Sequence, residues 1–267
     1  MALTTRDISI ILSVYENRFL RRDQIQRLYF PDTSLVACNV RLKKLQGNRF
    51  LNRLSRPASS VVAQAVYGLD KLGADVVAAA REIDRRKVKW TPANNNVEWL
   101  FMNHTIGISE FKVCLDLELA GRSEKLLFYQ RGDRSHLKRI SVPSSKKKYL
   151  VVAPDAFFGI HVTCGKYIFF VEVDLGTETL SRFAEKITAY KQYWKSKKYE
   201  KDYGFKFFRV LTVTDSINRQ ANLIQATGEA GGRRMFLFTN FEAIHNVGIL
   251  EPIWLSPAST DALSILD

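Results

Sequence analysis

The hydrophobic period of the chain changes at Gly47, and that change limits the N-terminal third to few folds. Before it, Ile8, Ile11, Leu12 and Tyr15 recur at helical spacing. Thr5 reads as their N-cap, and Asp7 stands in the first turn, where a carboxylate favours the helix dipole. A second short helix is expected over Arg22 to Tyr29, with Ile25 and Leu28 inward, and Pro31-Asp32-Thr33 turns the chain. A third helix follows from about Ser34 to Gln46, its apolar stripe formed by Leu35, Cys38, Leu42 and Leu45. Gly47 is placed to end it. Beyond it, Phe50 to Leu54 and Ala63 to Tyr67 read as two strands around Pro57-Ala58-Ser59-Ser60, and a helix over about Leu72 to Asp84 closes the segment. Three helices and then a hairpin is the order of a winged helix-turn-helix.

Charge agrees with that expectation. Lys and Arg number 40 against 27 Asp and Glu, a formal net charge of +13. Residues 1–92 hold 17 of the cations and 8 of the acids, so the excess is concentrated there. A polyanion, most simply double-stranded DNA, is the partner such a field suits. In a helix-turn-helix the second helix of the pair enters the major groove and the hairpin flanks a phosphate backbone. The third helix offers Asn39, Arg41, Lys43 and Lys44 away from its apolar stripe, and the wing carries Arg49, Arg53 and Arg56. Asn39 and Arg41 are the side chains best able to read base edges. Arg41 is equally suited to bridge helix and wing, and the same basic face would serve solubility or protein contacts in a winged helix that binds no DNA.

A polar connector, Arg85 to Asn96, sets the expected domain boundary, giving 1–92 and 93–267. The second part reads as a long helix (Val97 to Leu119), a short strand at Leu126 to Tyr129, a basic loop over Lys138 to Tyr149, and then alternating elements. These are a strand after Pro154, the strand Tyr167 to Asp174, a helix over Glu178 to Trp194, a strand over Phe205 to Val213, a helix near Ile217 to Gln225 and a last strand at Met235 to Phe238. That order predicts a mixed sheet with helices on its faces. Acids on adjacent strands suit a hard cation, Mg2+ or Mn2+, which would activate water against a phosphodiester. Asp155 and Glu172 are the candidate ligands and catalytic acids, with Lys186 near the attacked phosphate and Glu110 in support from the first helix. Alternatively, Asp155, Glu172 and Asp174 are ordinary strand-end acids satisfied by Arg182 or by backbone groups.

Pro154-Asp155, sixteen intervening residues and then Glu172-Val173-Asp174 resemble the PD-(D/E)XK nuclease pattern. The resemblance implies a nuclease-like α/β domain in which the two acids bind metal and a lysine assists the attacking water. Asp174 stands where the motif has its lysine. Members with a displaced lysine carry it on the following helix, where Lys186 lies, and Asp174 then becomes an extra metal ligand or an acid that supports the ligands from behind. Lys186-Ile187-Thr188-Ala189-Tyr190 also resembles the Gln-x-x-x-Tyr helix motif of some branches, which makes Tyr190 a supporting site residue.

The chain as a whole resembles the replication-relaxation proteins of plasmids and integrative elements over about residues 3 to 255. The resemblance rests on Leu3-Thr4-Thr5-Arg6-Asp7, Arg18-Phe19-Leu20, Arg41-Leu42-Lys43-Lys44-Leu45 and Tyr67-Gly68-Leu69-Asp70-Lys71-Leu72-Gly73. It continues in Pro154-Asp155-Ala156, Glu172-Val173-Asp174-Leu175-Gly176-Thr177-Glu178 and Lys186-Ile187-Thr188-Ala189-Tyr190. It implies a role in replication, relaxation or transfer of a mobile DNA element, alongside replication or relaxation proteins of that element. Two readings follow: a DNA-binding accessory or regulatory protein, or a metal-dependent DNA nuclease or nickase.

Other classes have little support. Cys38, Cys114 and Cys164 are odd in number and lack metal-ligand spacing, which suits a reducing, cytoplasmic compartment better than a disulfide scaffold. No apolar run reaches the length of a membrane span, and the N-terminus has no signal-peptide stretch. There is no Gly-x4-Gly-Lys-Ser/Thr loop for ATP. His104, His136, His161 and His245 do not cluster in sequence, though His161 follows Asp155 closely. A palindromic target would favour a homodimer, but no heptad pattern supplies one.

Overall fold

The computed structural model describes the chain except residues 32, 55–63, 133–137, 142–148 and 164, and of 138–141 and 149 it describes the backbone alone. The chain forms two compact units, Met1–Val113 and Cys114–Asp267. The division falls inside a helix, α5, rather than at the polar connector.

In the first unit the elements run α1 (Thr5–Asn17), β1 (Phe19–Arg21), α2 (Arg22–Tyr29), α3 (Leu35–Gly47), β2 (Leu51–Leu54), β3 (Val66–Leu69), α4 (Lys71–Ala80) and the start of α5 (Trp99–Leu119). The N-cap of α1 is Thr4, one residue earlier than expected. Its backbone N–H and hydroxyl each donate to Asp7 Oδ2 at 2.7 Å, and the Asp7 N–H donates back to Thr4 Oγ1 at 3.3 Å. Thr4 wins over Thr5 because a carboxylate three residues on completes a capping box. Ser34 caps α3.

Phe19-Leu20-Arg21, which the sequence suggests only as a lead into α2, is a strand. It pairs antiparallel with β3 (Phe19 opposite Gly68), and β3 pairs with β2 (Leu51 opposite Leu69), giving the order β1-β3-β2. The second hairpin strand lies about three residues later than its expected place, because Val66 to Leu69 are the residues buried on both faces. A core of Ile10, Ile11, Val14, Ile25, Cys38, Leu42, Leu45 and Val77 joins the helices to this sheet. Leu35 departs from the expected stripe of α3 and is 39% exposed.

The second unit continues with β4 (Lys125–Arg131), β5 (Lys138–Ser141), β6 (Tyr149–Val152), β7 (Ala156–Val162), β8 (Gly165–Asp174), α6 (Leu180–Ser196), α7 (Lys198–Tyr203), β9 (Arg209–Thr214), α8 (Ile217–Glu229), β10 (Phe236–Asn240), α9 (Phe241–Asn246), β11 (Trp254–Ser256) and β12 (Ser259–Leu263). Among the described residues seven strands form one mixed sheet, in the order β12-β11-β10-β9-β8-β7-β4. β8, β9 and β10 are parallel and the remaining neighbours antiparallel. The parallel steps are joined by α6 with α7 and by α8, as crossovers between parallel strands require.

The stretch read as a basic loop is in part a separate β5–β6 hairpin, and its Lys146-Lys147-Lys148 run lies outside the described residues. β10 is not the last strand, since α9, β11 and β12 follow it. Central strand β8 is buried from Ile168 to Asp174, and the aromatics Phe157, Phe170, Tyr190, Tyr193, Phe208 and Phe236 fill the core beside it. Among the described residues no helix is long and apolar enough to cross a membrane.

Candidate functional site

In the first unit the candidate interface is built on α3. The helix buries Cys38, Leu42 and Leu45 and carries no acid. Asn39, Lys43 and Lys44 are exposed, as is Arg53 on β2. A groove of about 710 Å³ runs beside them, lined by Arg22, Asn39, Lys43, Gln46, Arg53 and Tyr67. Among its described lining residues none is acidic, and Arg22, Lys43 and Arg53 carry positive charge. The backbone N–H of Arg22 donates to Ala65 O at 2.9 Å, and its guanidinium donates to Gln64 Oε1 at 3.0 Å. The first residue of α2 is thereby fixed to the chain entering β3. Burial pushes the Tyr67 phenol up, while neighbouring Arg53 and Arg22 pull it down.

Arg22, Gln46 and Tyr67 escape a sequence reading, because only the pairing of β1 with β3 brings α2 and the hairpin to one groove. The Arg21-Arg22 pair is the one signal that points there.

Arg41 takes a different part from its neighbours on α3. Its Nε donates to Asp7 Oδ1 at 2.5 Å and its Nη2 to Asp7 Oδ2, and the Asp7 side chain is fully buried. Arg41 therefore ties α3 to α1. Arg49 has φ +57° at the end of the helix and approaches Asp70 at 4.0 Å. Arg56 lies outside the described residues. Glu110, on α5, accepts from Arg21 at 3.0 Å, Gln24 at 2.8 Å and Arg27 at 2.5 Å, so its carboxylate anchors α2.

In the second unit Asp155, Glu172, Lys186 and Tyr190 come together. Asp155 precedes β7. Its N–H donates to Val171 O at 2.9 Å and its Oδ2 accepts from the Val173 N–H at 2.8 Å, which places its half-buried carboxylate beside the end of β8. Glu172 is buried. One of its oxygens accepts from Lys186 Nζ at 3.0 Å and the other from the Tyr190 hydroxyl at 2.6 Å. Lys186 and Tyr190 lie one turn apart on α6, so one helical face delivers both donors. Lys186 also pairs with Glu178 at 2.9 Å. Burial alone would lower the Lys186 ammonium, but Glu172, Asp155 and Glu178 outweigh it and hold the charge. Burial and the Glu172 charge push the Tyr190 hydroxyl well up, so it stays a donor.

Asp174 is held apart from this group. Arg219 of α8 donates to both its oxygens at 2.8 Å and to the Glu178 carbonyl at 2.6 Å. The Gly176 N–H adds a bond to Asp174 Oδ1 at 2.8 Å, from a residue at φ +77°. Arg182 approaches Glu178 at 3.4 Å, so each acid of the Glu172–Glu178 segment has a basic partner, with Lys186 shared between Glu172 and Glu178. Glu178 and Arg219 are the members that sequence reasoning did not place in the cluster. His161 lies near the far end of β7, six residues along the strand from Asp155.

A hard divalent cation needs several oxygens with free lone pairs. Carboxylates are the right chemistry: each Glu172 oxygen accepts one bond, from Lys186 or Tyr190, and keeps a second lone pair, and the Asp155 carboxylate stands beside it. Glu172 and Asp155 are therefore the residues that could hold a metal ion, while both Asp174 oxygens are bound by Arg219 and Lys186 and Arg219 supply the positive charge already in the cluster.

A family profile described as replication-relaxation matches residues 12–208 of the chain. No curated protein matches it. Among solved structures, restriction endonuclease FokI bound to DNA is 13% identical with a TM-score of 0.31, and restriction endonuclease FokI is 14% identical with a TM-score of 0.33. Either alignment covers 90% of this chain and 43% of the other, so the chain spans less than half of those proteins.

Proposed function

The chain belongs to the replication-relaxation family, and from that premise we propose that it is a DNA-binding accessory or regulatory protein of a plasmid or integrative element. It acts in replication, relaxation or transfer of that element's DNA, with the element's other replication or relaxation proteins as partners. The observation that carries the reading is the acid-free exposed face of α3 opening onto the groove of Arg22, Lys43 and Arg53. The first unit works as a winged helix: α3 enters the major groove of double-stranded DNA, and β2 with the hairpin follows the backbone. Lys43, Lys44, Arg53 and Arg22 neutralise phosphates and set register, and Asn39 presents an amide suited to an adenine edge. Arg41 is spent on Asp7 and holds α3 at its angle.

The second unit is a platform whose acids are structural. In this reading Glu172, Lys186 and Tyr190 lock α6 to β8, and Arg219 locks α8 to the chain after β8. A metal-dependent nuclease would require Glu172 and Asp155 to hold Mg2+ or Mn2+ with the lone pairs that their hydrogen bonds leave over. The test is a gel assay on supercoiled plasmid from the protein's own element, with either metal or with chelator, for wild type and Asp155→Ala. The platform reading expects a retarded, uncut plasmid in every lane. Metal-dependent nicking that Asp155→Ala abolishes would replace it with the nuclease reading.

A further inference from the structure

The outermost ridge of α3 is apolar at its N-terminal end. The residues directly opposite the buried Cys38, Leu42 and Leu45 stripe are Val36 and Val40, one turn apart, followed by Lys43 and Gly47. Val36 is 67% exposed and Val40 is 50% exposed. The solvent-most ridge of an ordinary surface helix holds charged, unbranched residues, which are good helix formers and are well hydrated. Two exposed β-branched valines forgo helix propensity and leave hydrocarbon in water, so the fold of this unit does not account for them. Farther along the same ridge a Cβ added at Gly47 would meet nothing within 4 Å, which leaves that end open to close approach.

What surrounds the valines selects their occupant. Asn39 lies between them in sequence, Lys43 and Lys44 follow within one turn, and the adjoining groove adds Arg22, Arg53 and Gln46. A protein surface fitted to that setting would have to be acidic and apolar at once. DNA meets both needs through groups it presents everywhere: phosphates along the rim of the major groove and, on its floor, the 5-methyl group of thymine, an apolar group that no other DNA base carries.

We propose that Val36 and Val40 read thymine methyl groups in the major groove, with Asn39 between them on the adjoining adenine edge, so that the target contains A·T pairs beneath the N-terminal half of α3. This inference rests on the DNA-binding reading above and adds to it a determinant of specificity. Deleting the methyl removes the contact and leaves the hydrogen-bonding edge of the base unchanged.

The test uses the full chain and a duplex enriched by in-vitro selection from random DNA. Affinity is compared between that duplex and copies in which single thymines are replaced by deoxyuridine, for wild type and for V36A/V40A. Alanine at these exposed positions keeps the helix, which circular dichroism and the melting temperature verify. The expected result for wild type is a loss of about threefold to fivefold at one or two thymines, the worth of a buried methyl group. V36A/V40A should bind the thymine duplex about as weakly as wild type binds the uracil duplex, and should no longer distinguish the two. Equal wild-type affinity for both duplexes, with salt-dependent binding intact, overturns the inference and leaves the DNA-binding reading standing. Failure to select or bind any duplex at low salt overturns both. Self-association without DNA that Val40→Arg abolishes would assign the valines to a protein contact and overturn the inference.

Discussion

Arg41 of α3 holds the buried carboxylate of Asp7 of α1 with two of its nitrogens, the Nε at 2.5 Å. Asp7 in turn closes the capping box with Thr4. One carboxylate therefore starts the first helix and sets the position of the helix offered to DNA. Removing Arg41 strands the buried Asp7 carboxylate, while removing Asp7 takes away both the cap of α1 and the partner of the partly exposed Arg41, so Asp7→Ala is expected to lower unfolding stability by about 2 kcal/mol, measured by denaturant titration. The bonds from Arg41 and Thr4 prevail over the opposing effect of burial and hold the Asp7 carboxyl below its usual range. A depressed carboxyl contributes stability above its unfolded value and loses it as pH falls through the folded one. The unit should therefore weaken on acidification below about pH 4, and Asp7→Asn should be less stable at neutral pH with a shallower acid slope. An unchanged acid slope in Asp7→Asn would contradict this role.

Lys186 makes the corresponding prediction for the second unit. It balances Glu172, which is buried, and Glu178. Lys186→Met leaves Glu172 with the Tyr190 hydroxyl but without its cation, at a cost of about 2–3 kcal/mol, moderated because the lysine side chain is 35% exposed. Adding Glu172→Gln should recover part of that loss, since a neutral pair is tolerated where a lone charge is not. The melting temperature of wild type should not move with millimolar Mg2+ or with chelator. A rise with Mg2+ that chelator reverses would mean the cluster takes a metal after all.

Gly132 tests how Asp155 is held. A Cβ at Gly132 would lie 1.8 Å from the Pro154 carbonyl oxygen, and the Gly132 N–H donates to Asp155 O at 2.6 Å. Gly132→Ala must push the Pro154-Asp155 backbone away from the end of β4, costing about 1–3 kcal/mol. Gly121→Ala, where the added Cβ meets nothing within 4 Å, is the control and should be close to neutral. Equal stability of the two variants would show that the close approach is not a constraint.

Much of this architecture is legible in the sequence, and the exceptions have physical causes. Period and caps locate α1, α2, α3 and the long α5, because their apolar faces are continuous. β1 is missed because a three-residue strand has no period of its own and exists through pairing with β3. α9, β11 and β12 are missed because elements of three to six residues are too short to show a period, even where one buries Trp254 completely. Lys186 and Tyr190 are found from their spacing on α6. Arg219 is not, because it reaches Asp174 from a helix 45 residues away. Arg41 and Asp7 stand 34 residues apart, so the sequence leaves open a choice that the contact decides. The exposure of Val36 and Val40 follows from α3 burying only a narrow stripe, which fixes the opposite ridge once the buried residues are known.

The most direct test of the central claim, that the exposed face of α3 binds duplex DNA, is the salt dependence of affinity for DNA of the protein's own element, in wild type, Lys43→Ala and Arg41→Lys. Each phosphate neutralised contributes about −0.9 to the log–log slope. The account predicts a steep wild-type slope, a slope shallower by about that amount in Lys43→Ala, and an unchanged slope in folded Arg41→Lys, which keeps the positive charge and serves as the control. Affinity indifferent to salt, or a Lys43→Ala slope equal to wild type, would contradict it.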